Sequence, residues 1–280
     1  IKATIVIILS VPFERRINGD KIKAKISISL WWFMVKKDNL NKLINLNFLE
    51  YTNQSYLIGK YDLPYARCPD ILDIDYLALY SERNKYFKTD RTAICFYQYD
   101  IVFDGPKGLF NAIYFQDKKL LDKYKKRFEG IRFFIAPDYS LCGDVPRIEN
   151  IYRLFKSRIV SNFILLEWNA LVIPNITYGD ESYFEFMLDG LENTNTVSFS
   201  IKGVYKNQEE RKLLLKAIKY TVDNLKHLKT IIVYSVLNDD NKIYKLFEYA
   251  TSKNLKIIIP NNTLRERNIS YRKESFYGEN

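Results

Sequence analysis

At 280 residues, with 47% apolar and 27% charged side chains, the chain can bury one large core or two small ones and is too apolar to be disordered. Lys and Arg number 43 against 33 Asp and Glu, a net charge of +10 that favours anionic partners such as nucleic acid, nucleotides or a membrane surface. The single histidine excludes multi-histidine metal sites and two-histidine nucleases, and three scattered cysteines exclude a disulfide framework.

The opening run Ala3-Thr4-Ile5-Val6-Ile7-Ile8-Leu9 is too short to span a bilayer, and no small-residue cleavage site follows it. Neither a membrane span nor a signal peptide is expected, and the unpaired cysteines point to a reducing cytoplasm. Ile5 to Leu9 is a strand candidate. Ile22, Ala24, Ile26, Ile28 and Leu30 alternate with polar residues, the period of a half-exposed strand, which runs into Trp31-Trp32-Phe33. Asn18-Gly19-Asp20 between them is a hairpin turn signal. Residues 38 to 50 fit a short amphipathic helix carrying Leu40, Leu43, Ile44 and Phe48 on one side. Residues 60 to 92, with Pro64 and Pro69, read as a connecting region. In it, Asp73 and Asp75 would share a face of a strand, the geometry of a two-metal site; a solvated turn is the plainer reading. Residues 1–92 are thus expected to form a β-rich N-terminal extension that packs on the main domain.

From Ala93 the pattern becomes regular. Strands are expected over 93–99, 132–138, 171–177, 196–201, 230–236 and 256–259. Between them lie a basic helix from Lys118 to Phe128, a long helix capped by Asp144 ahead of Pro146, and a short helix from Glu181 to Leu188. A further helix is capped by Asn207 with Glu210 three residues on, and the last runs from Asn241 to Ser252. Strand–helix alternation means an α/β fold with a mostly parallel sheet. Nearly every strand ends polar, at Asp100, Asp138, Asn175, Lys202 with Gly203, Ser235 and Asn261. A (β/α) barrel points all its strand ends at one mouth, so a barrel-like fold is favoured over an open doubly wound sheet. The main domain is expected over 93–262, with 263–280 a flexible tail.

Pro137-Asp138-Tyr139-Ser140, Arg158, Ile173-Pro174-Asn175 with Gly179-Asp180, Leu188-Asp189-Gly190 and Ser200-x-x-Gly203 stand in one order and spacing. In these motifs, over about residues 93 to 236, the chain resembles a family catalogued as a domain of unknown function (four-four-one-seven) of low-GC bacteria, their phages and plasmid-like elements. Tyr178 stands where the family usually has Trp, and Ile201 where it usually has a second hydroxyl residue. The resemblance supplies no activity. It implies a mobile-element context, which turns attention to nucleic acid.

His227 ends a Lys-rich helix and reads as a helix-end residue rather than a catalyst. No P-loop, dinucleotide loop or nucleophile elbow is present. Catalysis would therefore rest on carboxylates, Lys, Arg, Tyr or a hard metal ion. Asp138 and Asp180 are the candidate catalytic pair. As oxygen ligands they would suit Mg or Mn, with Arg158, Asn175, Ser200 and Lys202 as substrate-binding groups for phosphoryl or phosphodiester chemistry. The alternative roles are structural: Asp138 and Asp180 as helix caps, Asn175 and Ser200 as loop fasteners, Asp189 in a turn, Arg158 in an ion pair, and Trp31-Trp32-Phe33 in the core. Three functions stay open. One is an enzyme of a mobile element acting on nucleic acid or nucleotides. The second is a non-catalytic nucleic-acid-binding or partner-binding accessory protein. The third is a carboxylate-pair glycoside hydrolase.

Overall fold

The computed structural model describes residues 11–17, 20–26, 48, 50–53, 57–70, 73–204 and 207–277. Strands β1 (Val11–Ile17) and β2 (Asp20–Ile26) pair antiparallel, with Ile17 opposite Asp20 and Val11 opposite Ile26. The Asn-Gly signal thus marks a hairpin, as a two-residue connection with this chemistry should. Its first strand is the stretch beside the turn; the candidate strand at Ile5–Leu9, the Trp31-Trp32-Phe33 cluster and most of the helix expected over 38–50 lie outside the described residues. A short helix α1 (Glu50–Asn53) follows, then a small hairpin of β3 (Leu57–Ile58) and β4 (Leu63–Pro64). Gly59 turns this hairpin at φ +78°, and a Cβ there would collide with the Asp189 carboxylate.

Seven parallel strands follow: β5 (Tyr76–Leu79), β6 (Thr92–Cys95), β7 (Phe133–Ile135), β8 (Leu171–Ile173), β9 (Thr196–Ser200), β10 (Thr230–Tyr234) and β11 (Lys256–Ile258). They pair in the orders β5-β6-β7-β8 and β9-β10-β11. Single parallel bridges join the two sheets at both edges. At one, Ser198 N–H donates to Pro174 O (2.8 Å) and Ile176 N–H to Ser198 O (2.9 Å); at the other, Leu77 N–H donates to Asn261 O (2.8 Å) and Asn261 N–H to Asp75 O (2.9 Å). The strands therefore form a hydrogen-bonded ring, the barrel-like arrangement expected from their polar ends.

The ring has one strand more than the sequence pattern shows. β5 lies in the segment read as a connector, so the main unit begins at about Tyr76 rather than residue 93. All four β5 residues are buried, so the strand has no polar alternation to announce it. Period-two geometry sorts the side chains of the ring into two sets. Leu77, Cys95, Ile135, Ile173 and Ile232 point inward and fill the barrel. Ala78, Ile94, Phe134 and Val172 face one half of the helical layer, and Val197, Phe199, Ile231 and Val233 face the other. Each fully buried Ile, Phe or Val adds about 1.5–3 kcal/mol.

The crossovers are α2 (Leu109–Tyr114) and α3 (Lys118–Arg127) before β7, α4 (Arg147–Glu167) before β8, α5 (Phe184–Met187) before β9, α6 (Gln208–Asn224) before β10, and α7 (Asp240–Leu246) with α8 (Glu248–Ser252) before β11. Asn207 caps α6 as expected, its side chain accepting from Glu209 and Glu210 N–H. Asp144 does not cap α4. That helix starts after Pro146 without a side-chain cap, and its entry loop is held by Asn150, which both donates to and accepts from the Cys142 backbone. The expected loose tail is also corrected: Thr263–Tyr277 is a helix, α9. Asn262 accepts from Arg265 N–H and donates to Ser235 O, while Arg265 donates to Ile259 O and pairs with Asp240. These long-range bonds fix the start of a helix whose own sequence has almost no apolar stripe.

Candidate functional site

The carboxyl ends of β6 to β10 converge on a polar network. Tyr97, two residues past β6, continues the inward phase of Ala93 and Cys95, and its hydroxyl donates to Asn175 Oδ1 (2.8 Å) and lies 2.6 Å from Ser198 Oγ. Ser198 Oγ donates in turn to Ile232 O (3.0 Å). Asn175, just past β8, uses its amide nitrogen on Asp138 Oδ1 (2.7 Å) and on Thr177 Oγ1 (2.8 Å). Thr177 also donates to Asp138 Oδ1 (3.0 Å). Both bonds to Asp138 thus fall on one oxygen, and among the described residues none is made to Oδ2.

Burial pushes the Asp138 carboxyl up to about 6, against the bonds from Thr177 and Asn175 and with help from the Asp100 charge. A carboxyl poised there exchanges protons near neutrality. Burial, then the Asp138 charge, keeps the Tyr97 phenol protonated far above its ordinary range. Lys202, past β9, donates to Tyr97 O (3.4 Å) and forms no ion pair among the described residues. Ser200 accepts from Lys202 N–H (3.4 Å) and shares the inward phase of Ser198. Tyr234 closes β10 with its ring 4.8 Å from that of Tyr97. Glu82, in the loop after β5, accepts from Leu79 N–H (3.0 Å). The inward thiol of Cys95 is held up mainly by burial, and it feels the charges of Glu82, Asp138 and Lys202 together. Among the described residues the mouth therefore holds the carboxylates Asp138 and Glu82, the Lys202 cation outside any ion pair, and neutral hydroxyl donors.

Asp138, Asn175, Ser200 and Lys202 are where the strand ends were expected to put them. Asp180 and Arg158 are not in this network. Asp180 Oδ1 accepts from Ser182 N–H (2.7 Å) at the turn before α5, the capping role, and the neighbouring carboxylate that reaches Asp138 is Asp100. No hydrogen bond links Asp180 to this network, and among the described residues no group of three or more His, Cys, Asp or Glu side chains could hold a metal ion. Arg158 is buried in α4 and donates to Asp189 O (3.5 Å). Burial lowers its pKa to about 10 against the charges of Glu192 and Asp189. Asp100 fastens the mouth's rim by accepting from Ser140 N–H and Oγ–H and pairing with Arg153 (3.2 Å). Asp73 and Asp75 sit at the opposite, amino end of the strands, paired with Lys256 (3.1 Å) and Arg91 (3.0 Å). His227 is exposed, and its carbonyl accepts from Asn195 (2.8 Å). Tyr97, Thr177, Ser198, Tyr234 and Glu82 are members of the mouth that the sequence pattern did not mark; for the two tyrosines, the period-two phase of their strands was the available signal.

Residues 56–250 match the family described as Domain of unknown function (DUF4417). The chain belongs to this family. The DUF4417 match takes in every mouth residue named above. Two curated phage proteins are similar over part of their length. One, called Gene 1 protein, of Mycobacterium phage D29, is 23% identical over 147 residues, 51% of this chain and 51% of its own. Its counterpart of the same name in Mycobacterium phage L5 is 23% identical over 144 residues, 51% of this chain and 60% of its own. The chain thus spans about half the length of these curated relatives. No solved structure matches it. Among the described residues, no helix is long and apolar enough to cross a membrane. The three cysteines are free.

Proposed function

We propose that the barrel mouth is an acid–base site for a phosphate-bearing substrate, a nucleotide or nucleic acid, with Asp138 as the proton-exchanging group. One observation carries this reading. The Asp138 carboxylate is anchored through Oδ1 alone and leaves Oδ2 unbonded among the described residues, in a setting where burial pushes it up to about 6. A carboxylate kept only for structure is better served in water or bonded through both oxygens. The substrate class is supported by the unpaired cation of Lys202 at the mouth, by the net charge of +10, and by the phage origin of the similar proteins. Of the pair that a metal-assisted form would use, Asp138 belongs to the mouth network and Asp180 caps the turn before α5.

The test is a panel of nucleoside triphosphates and of single- and double-stranded DNA and RNA, followed for product formation across pH. Turnover with an apparent pKa near 6 is expected, and it should fall about 10²–10⁴-fold in Asp138→Asn with the fold intact. Full activity in that variant would remove the proposal. A second reading, a nucleic-acid-binding accessory protein, is favoured by α3, where Lys118, Lys119, Lys123, Lys125 and Lys126 are exposed and form no ion pair among the described residues. It predicts binding without turnover, with affinity falling steeply as salt rises. Retained binding after charge reversal of those five lysines would rule it out.

A further inference from the structure

We propose that the Tyr234 hydroxyl is a ligand-binding group of the mouth, donating a hydrogen bond to an acceptor oxygen of the bound molecule. This rests on the reading above, under which that oxygen is a phosphoryl oxygen. Tyr234 is the last residue of β10 and belongs to the inward-facing set. It is 0% exposed, yet its hydroxyl has no hydrogen-bond partner among the described residues. Four other buried phenols have partners: Tyr97 bonds Asn175, Tyr80 bonds Tyr124, Tyr86 bonds the Tyr80 carbonyl and Tyr183 bonds the Cys142 carbonyl. Phenylalanine would fill the Tyr234 position without leaving a buried donor unpaired, which is destabilising.

The location matches a ligand role. The Tyr234 ring lies against that of Tyr97, tilted by 32°, and the Tyr97 hydroxyl belongs to the hydrogen-bond chain from Asp138 through Asn175. Burial first, and the Glu82 charge with it, holds the phenol protonated, so it donates. An oxygen accepting from it would lie beside Tyr97, whose ring is 4.8 Å from that of Tyr234 and whose carbonyl accepts from Lys202. The mouth then offers an anionic oxygen one neutral donor from below and one cation from the rim.

Tyr234→Phe removes only the oxygen. Thermal melts of the full chain and of this variant, alone and with inorganic phosphate or adenosine monophosphate, test the proposal. The expected result has two parts. Without ligand, the variant melts at or above the wild type; with ligand, its affinity is about tenfold to hundredfold weaker. A ligand-free variant melting more than about 3 °C lower would show that the hydroxyl has a structural partner, such as a buried water, and would overturn the proposal. Equal affinities in both proteins would overturn it while leaving the phosphate site standing. No response of the wild type to either compound would remove the phosphate reading and this inference with it.

Discussion

Replacing Asp138 by Asn should stabilise the protein at neutral and alkaline pH. The Asp138 carboxyl titrates at about 6 in the fold against an ordinary 3.8. At about 1.4 kcal/mol per pH unit, ionised Asp138 destabilises the fold by about 3 kcal/mol. Below pH 3.8 the group is protonated in both states and contributes no difference. Between 3.8 and 6 the unfolded chain gives up its proton first, so wild-type stability falls as pH rises, and above 6 the loss is complete. Asn cannot ionise, and its oxygen still accepts from Asn175 and Thr177. Urea unfolding followed by tryptophan fluorescence at pH 4, 5, 6, 7 and 8 should show Asp138→Asn level with the wild type at the acid end and about 3 kcal/mol more stable at pH 8. A variant that is less stable at pH 8, or offset equally at every pH, would refute the reasoning. Stability gained by deleting a strained polar group is the usual mark of a site kept for function.

Asp180→Ala should lose the cap on the Ser182 N–H, about 1 kcal/mol or about 2–4 °C in Tm, and leave the pH response of the mouth unchanged. An Asp180→Ala protein as inactive as Asp138→Asn would return Asp180 to the chemistry. Arg158→Met should cost about 1–3 kcal/mol in urea unfolding, because it removes the buried guanidinium that donates to the Asp189 carbonyl; an unchanged midpoint would sink that account. Gly59→Ala should lose more than about 1 kcal/mol, from its positive φ and from the clash with the Asp189 carboxylate. A neutral Gly59→Ala would mean that the β3–β4 hairpin is not seated on Asp189.

Parts of the barrel were readable because burial on both faces writes a short apolar run, and β7, β8 and β9 each carry one that stops at polar residues. Their ends pointed to Asp138, Asn175, Ser200 and Lys202, which the structure places at the same edge of the ring. The same signal failed for Asp180, because a carboxylate ahead of a helix looks identical whether it caps or catalyses; only the Ser182 N–H on its Oδ1 separates the two. Arg158 failed for a related reason. Its helix position is visible in sequence, but its partner, the Asp189 carbonyl 31 positions away, is not. Tyr97 and Tyr234 look like core residues, and they are buried; what makes them part of a site is the inward phase set by strand register. β5 was hidden by its four-residue length, and α9 by bonds from Asn262 and Arg265 that join distant segments.

The most direct measurement is an NMR titration of the Asp138 carboxyl carbon, assigned by its loss in Asp138→Asn, with and without adenosine monophosphate. A midpoint near 6 in the free protein, moved upward when the anionic ligand adds its charge beside Oδ2, is the predicted result. A midpoint near 4 that the ligand leaves in place would contradict the claim that this barrel mouth is an acid–base site for phosphate-bearing molecules.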